Sequence, residues 1–214
     1  MQNDWATENL QTIRNLMERA ALYRRAMAPM MITIGLTGMA AAGVIAWLHF
    51  SDIRALVGGW MLVAVLAFAE ALWFARREAL KQKEPVWSLP TRRVLQALLP
   101  TLLAGFVAGV PFVLVETDEP IILGVLLSLW LVLYGCGLHA AGFFMPRGFK
   151  LFGWILIVCG CTIWISLILV SSVNEDLLSF FEKWESWLMG LFFGGGHLAY
   201  GIYLYVTEKR GNAT

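Results

Sequence analysis

Charge is scarce in this 214-residue chain, where only 14% of residues are Asp, Glu, Lys or Arg and 59% are hydrophobic. A soluble domain carries about 25% charged residues. The deficit excludes an ordinary water-facing globular surface and points to lipid as the solvent. Cysteine is also sparse. Cys136, Cys159 and Cys161 all fall in apolar stretches, which excludes a disulfide framework and predicts small buried packing residues. The sequence lacks a Walker or Rossmann glycine pattern, a His-Glu-x-x-His, a Cys-x-x-Cys and a serine in a nucleophile elbow. Those absences remove the common soluble-enzyme chemistries and leave a non-enzymatic role as the expectation.

What is present is long apolar runs. A helix needs about 20 apolar residues, rising 1.5 Å each, to cross the hydrocarbon core. Six stretches meet that length, at about 26–48, 55–75, 94–115, 121–144, 149–170 and 187–206. Arg24 and Arg25 before the first run resemble the start of a signal peptide. Twenty-five residues precede that run, however, and it is too long for a signal core, so a retained helix is expected. The 10 Trp and 13 Phe suit helices anchored at headgroup level. The fold class predicted is all-α: a polytopic six-helix transmembrane bundle.

Basic residues set its orientation. Arg14, Arg19, Arg24, Arg25, Arg76, Arg77, Lys81, Lys83, Arg92, Arg93, Arg147, Lys150, Lys209 and Arg210 all fall on one side of a six-span arrangement. Only Arg54 and Lys183 fall on the other. Short basic loops stay cytoplasmic, so both termini are expected inside. Five or seven spans would break this alternation.

Outside the spans, residues 1–25 read as an amphipathic cytoplasmic helix. Leu10, Ile13, Leu16, Met17, Ala20 and Tyr23 lie on one face, and Gln11, Arg14, Asn15, Glu18 and Arg19 on the other. It suits the inner membrane surface, a second protomer in a homo-oligomer, or a partner. The loop 76–93, with Arg76, Arg77, Lys81, Lys83, Arg92 and Arg93, reads first as a topology determinant and second as a site for anionic lipid headgroups. No folded domain presents these charges, so nucleic acid is not an expected partner. Residues 174–187 read as a short interfacial helix on the opposite side, and 208–214 as a cytoplasmic tail.

Ionisable residues inside a membrane are costly, so each is a candidate for function. Glu70, His139 and His197 are the three, one each in the second, fourth and sixth spans. They could form a polar cluster serving as a proton or cation relay. Alternatively, His139 and His197 could ligate a b-type haem. The plainer reading has Glu70 reaching toward Arg76 or Arg77 while the histidines hydrogen-bond backbone or hydroxyl groups across helix contacts.

Gly105-x3-Gly109, Gly190-x3-Gly194 and Gly137-x3-Ala141 have the spacing that lets membrane helices approach closely. The run Gly194-Gly195-Gly196 before His197 either accepts a neighbouring backbone, the preferred reading, or permits local unwinding. Pro29, Pro100 and Pro111 are expected near the ends of the first and third helices, where a missing N–H costs least.

Two strings, Tyr134 to Trp154 and His197 to Arg210, with Thr91-Arg92-Arg93, resemble a group of bacterial multi-pass inner-membrane proteins with no established activity. The resemblance implies a bacterial inner membrane and six helices. The expected role is a small transporter-like or membrane-regulatory component, without a cofactor unless the histidines hold haem.

Overall fold

The computed structural model describes residues 27–48, 52–83, 87, 89–117, 121–145, 147–171 and 184–211, and among them every regular element is a helix. α1 is Met27–Leu48, α2 Ile53–Gln82, α3 Leu89–Leu114, α4 Ile121–Ala141 and α5 Arg147–Ser171. α6 covers 184–211 and changes character along its length: α-helical to 189, π-helical over Gly190–Gly195, then α-helical over Gly196–Gly211. Among the described residues five stretches are long and apolar enough to cross a membrane, namely Met27–Leu48, Ile53–Lys81, Thr91–Leu114, Ile121–Ala141 and Gly148–Leu169. The chain is therefore a helical, multi-pass membrane protein in character. The amphipathic segment 1–25 and residues 174–183 of the interfacial segment lie outside the described residues.

Helices outrun the apolar runs that predict them. α2 continues through Arg76 and Arg77 to Gln82, and α3 begins at Leu89. Most of the expected loop 76–93 is thus helix, because a backbone already hydrogen-bonded through the bilayer continues at little further cost into good helix formers. Lys83 ends α2 in the left-handed region at φ 54°, its N–H donating to the carbonyls of Ala79 and Leu80. At the other end of α2, Asp52 accepts from the Arg54 N–H at 2.9 Å. That bond, followed by the Arg54 guanidinium, holds the Asp52 carboxyl below the usual carboxylate range. Arg54 also reaches Glu116 at 3.1 Å, tying the start of α2 to the end of α3.

The early start of α3 puts Pro100 in its interior rather than near an end, while Pro111 lies in its last turn. Membrane helices tolerate such a proline when the freed carbonyl finds another partner. A second correction concerns the thiols. Cys136 and Cys161 lie on the outer surface and Cys159 is half-buried. In lipid a thiol on the outside behaves as any small apolar group.

Two buried clusters divide the bundle by depth. One joins Met27 and Met31 of α1, Leu138 and Ala141 of α4, Phe149 and Phe152 of α5, and Tyr200 and Leu204 of α6. The other joins Ala42 and Ile45 of α1, Ile53 and Trp60 of α2, and Leu123 and Leu126 of α4, with Met189 of α6 packed on it. The first therefore gathers the start of α1 and α5 and the end of α4 and α6. The second gathers the end of α1 and the start of α2 and α4. The start of α3, at Val94 and Leu98, packs on the first cluster and its end, at Ala108 and Phe112, on the second, so α1 to α6 fit an up-and-down order.

Two crossings are close enough to require glycine. A Cβ on Gly135 of α4 would stand 2.7 Å from the Gly153 carbonyl of α5, and one on Gly153 would stand 2.7 Å from the Gly135 carbonyl. Between α1 and α6, a Cβ on Gly35 would meet the Leu198 N at 2.6 Å, and one on Gly194 the Met39 N at 2.6 Å. Gly105 and Gly109 of α3 do something different. They seat the Trp130 indole, whose Nε1–H donates to the Gly105 carbonyl at 2.8 Å.

Candidate functional site

His197 is the most enclosed ionisable residue among those described, at 1% exposure. It sits two residues past the π-helical segment. In that segment the N–H of Gly196 donates to the Leu191 carbonyl five residues back, and also to that of Phe193. The wider turn brings the Phe193 carbonyl to 2.6 Å from His197 Nδ1. A carbonyl only accepts, so Nδ1 carries the hydrogen. Nε2 of the neutral ring is then an acceptor, and the Tyr134 hydroxyl lies 2.6 Å away to donate to it. The geometry fixes the tautomer: both ring nitrogens are engaged, one by α6 itself and one by α4.

Aromatic rings enclose the pair. Phe152 meets the imidazole edge-on at 5.2 Å, Phe193 lies at 4.6 Å, and Tyr134 stacks at 5.5 Å with 24° between planes. Gly196 makes room for Phe152, whose ring a Cβ there would meet at 2.7 Å. The three-glycine run thus divides its work: Gly194 admits α1, Gly196 admits Phe152, and Gly195 meets nothing nearer than the Leu191 side chain at 3.6 Å. Both sequence readings hold in part, since close packing and a departure from α-helix occur in the same six residues. π-turns of this kind concentrate at functional sites.

The other two ionisable residues lie elsewhere. Glu70 is half-buried on α2 and accepts from the Thr37 hydroxyl of α1 at 2.7 Å, rather than pairing with Arg76 or Arg77. Its second oxygen is buried without a hydrogen-bond partner among the described residues. His139 packs edge-on to Phe143 at 5.6 Å and to Trp154 of α5 at 5.4 Å, and its Nδ1 is buried without a hydrogen-bond partner among the described residues. No hydrogen bond or ring contact among the described residues joins any two of Glu70, His139 and His197. Tyr134, the residue that completes the His197 site, is not singled out by sequence reasoning; its place in the apolar string before Gly135 and Gly137 gives no sign of its partner.

Two cavities lie beside this pair. An inner chamber of about 260 Å³ lies among α2, α3, α4 and α6, bordered by Trp60, Phe106, Trp130 and Phe193. An outer chamber of about 190 Å³ opens toward the start of α1 and α3 and the end of α2, bordered by Met30, Ala71, Ala79, Thr91, Leu138 and His197. Phe68 and Tyr134 border both. Along α2 the two linings run from Trp60 to Ala79, a rise of roughly 29 Å at 1.5 Å per residue, close to the hydrocarbon thickness of about 30 Å. Among the described residues no Lys or Arg borders either chamber. The described residues hold no group of three or more His, Cys, Asp and Glu able to bind a metal ion.

No protein-family model, curated protein or solved structure matches the chain.

Proposed function

We propose that the chain is a six-span membrane protein of transporter-like or regulatory kind that admits a lipid-soluble molecule into the two chambers, with Tyr134 as the polar contact between them. The observation that carries this reading is the apolar slot itself. The two linings follow α2 for nearly a bilayer thickness, and Phe68 and Tyr134 border both cavities. Ligand sites are mostly apolar cavities with a few placed polar groups. Here the polar group is a phenol whose hydrogen is shared with a histidine of fixed tautomer. A ligand carbonyl or hydroxyl entering at Tyr134 competes with His197 for that hydrogen.

α6 is the sixth span in this reading, supported by its contacts with both depth clusters. The basic residues place the end of α2 and the start of α3 in the cytoplasm, with both termini, and the resemblance of the sequence favours a bacterial inner membrane. No enzymatic step is assigned. The relay reading of Glu70, His139 and His197 finds no support in their contacts. The haem reading fits poorly as well, because an iron at His197 needs a nitrogen that is now held by Tyr134 or Phe193, and His139 packs against a different set of rings.

Native mass spectrometry of protein released from lipid nanodiscs tests the slot. The unmodified protein is expected to retain a lipid-sized adduct, and Ala64→Trp, which fills the inner chamber, to reduce it at unchanged melting temperature. Absence of any adduct across neutral and acidic lipids and isoprenoid alcohols would overturn the reading.

A further inference from the structure

Trp60 of α2, Trp130 of α4 and Met189 of α6 border the inner chamber and also a third, much smaller cavity of about 20 Å³. On each helix the small cavity takes residues that precede the shared one: Leu56 and Val57 on α2, Leu126 and Leu127 on α4, Glu185 on α6. The inner chamber takes residues that follow it, such as Ala64, Tyr134 and Phe193. The small cavity therefore lies end-on to the chamber, toward the starts of α2, α4 and α6. Trp60, Trp130 and Met189 are the wall between them.

One hydrogen bond in that wall is not made. Trp60 is 3% exposed, and its Nε1–H is buried without a hydrogen-bond partner among the described residues. A buried donor left unmade is costly, so each one calls for a physical account. Trp130 beside it is satisfied, donating to the Gly105 carbonyl at 2.8 Å. In the inner chamber the hydroxyl hydrogens of Thr101 and Tyr134 are used as well, on the Leu98 carbonyl and on His197. The small cavity supplies an acceptor of matching burial. Glu185 borders it at 8% exposure, and a carboxyl group can accept several hydrogen bonds at once. Room for one water begins at about 10–15 Å³, given two to four polar partners. A cavity of about 20 Å³ meets that size and is too small for an organic ligand.

We propose that the small cavity is a binding site for a single water molecule, which accepts from Trp60 Nε1–H and donates to a Glu185 carboxyl oxygen. The site goes beyond the slot reading and stands without it. A bridging water is nearly as favourable as a direct hydrogen bond, and here it meets two needs together. It completes the indole, and it gives a carboxyl that is costly to bury a further hydrogen bond. The bridge ties the start of α6 to α2 at the end of the inner chamber, behind the wall of Trp60, Trp130 and Met189.

Solid-state NMR of the full chain in lipid bilayers, with isotope-labelled tryptophan, tests the site by magnetisation transfer from water to each indole N–H. The Trp60 signal is assigned by its loss in Trp60→Phe, and Trp130, whose N–H is held by Gly105, serves as the dry control. Transfer to Trp60 at short mixing times, with none to Trp130, is the expected result. Glu185→Gln keeps an acceptor oxygen and is expected to keep the transfer. Glu185→Leu removes the acceptor and fills the cavity, and is expected to abolish it; the other indole signals report that the bundle is intact. No transfer to Trp60 in the unmodified chain overturns the proposal, because the indole is then dry or bonded directly to protein. Transfer that survives Glu185→Leu overturns it too. So does transfer that Ala64→Leu abolishes with Glu185 in place, since Ala64 borders the inner chamber and not the small cavity.

Discussion

Tyr134 and His197 stand 63 residues apart in the chain and 2.6 Å apart in space. Their bond tests how far a single polar contact specifies this bundle. Removing the phenol oxygen leaves Nε2 of a 1%-exposed imidazole without its donor, and a buried acceptor left unmade costs more than the bond contributes when formed. Hydrogen bonds between membrane helices average about 0.6 kcal/mol in double-mutant cycles and reach about 1.7. A cycle over Tyr134→Phe and His197→Phe, followed by unfolding in mixed detergent, is expected to give a coupling toward the upper end of that range. Strict additivity would mean that the two side chains do not depend on each other. The sequence marked His197 as a candidate because an imidazole inside a membrane needs a reason. It did not mark Tyr134, because a tyrosine in an apolar run is ordinary and its partner is chosen by how α4 packs beside α6. Thr37 escaped notice for the same reason, since only the meeting of α1 and α2 gives its hydroxyl the Glu70 carboxylate.

At the scale of elements, glycines sort into those that touch a neighbour and those that do not. Gly135 and Gly153 bring α4 and α5 together backbone to backbone. Gly153→Leu is expected to destabilise by about 1–3 kcal/mol through overpacking. Gly43 of α1 and Gly58 of α2 have nothing within 4 Å of where a Cβ would be. Alanine at either is expected to stabilise by about 0.5–1 kcal/mol, because the helix loses a flexible residue and gains no clash. Unfolding midpoints of the three variants check both signs, and a loss at Gly43→Ala would mean that position carries a contact outside the described residues. Spacing alone could not make this division. Gly105-x3-Gly109 has the pattern of a helix-packing motif yet serves as a seat for Trp130. Helix ends were similarly half-legible. Apolar runs locate the stretch in lipid, but the backbone of α2 stops only where Lys83 turns left-handed, well past the last apolar residue of the run.

For the whole molecule, the open point is the course of α6. Its α-helical hydrogen bonding is interrupted by the π-helical Gly190–Gly195, where the register shifts by one residue, so it lacks the unbroken α-helical run of the other five. Its contacts nonetheless span the bundle: Met189 packs on the cluster that holds Ile53 and Leu123, and Leu204 belongs to the cluster that holds Met27 and Phe149. If α6 crosses, residues 184 and 211 face opposite solutions. With Cys136, Cys159 and Cys161 replaced by alanine, single cysteines are placed at Trp184, Gly211, Lys83 and Val115 and labelled in intact cells with a membrane-impermeant maleimide. The expected pattern is labelling at 115 and 184 from outside, and labelling at 83 and 211 only after permeabilisation. Labelling at 211 from outside would put the two termini on opposite sides and reduce the count to five. The same result would remove Lys209 and Arg210 from the cytoplasmic side and break the charge asymmetry on which the orientation rests. The position of α6 also decides the site, because it carries His197 to the depth of Tyr134. A crossing α6 makes their hydrogen bond a link between two spanning helices, made by the tyrosine that borders both chambers.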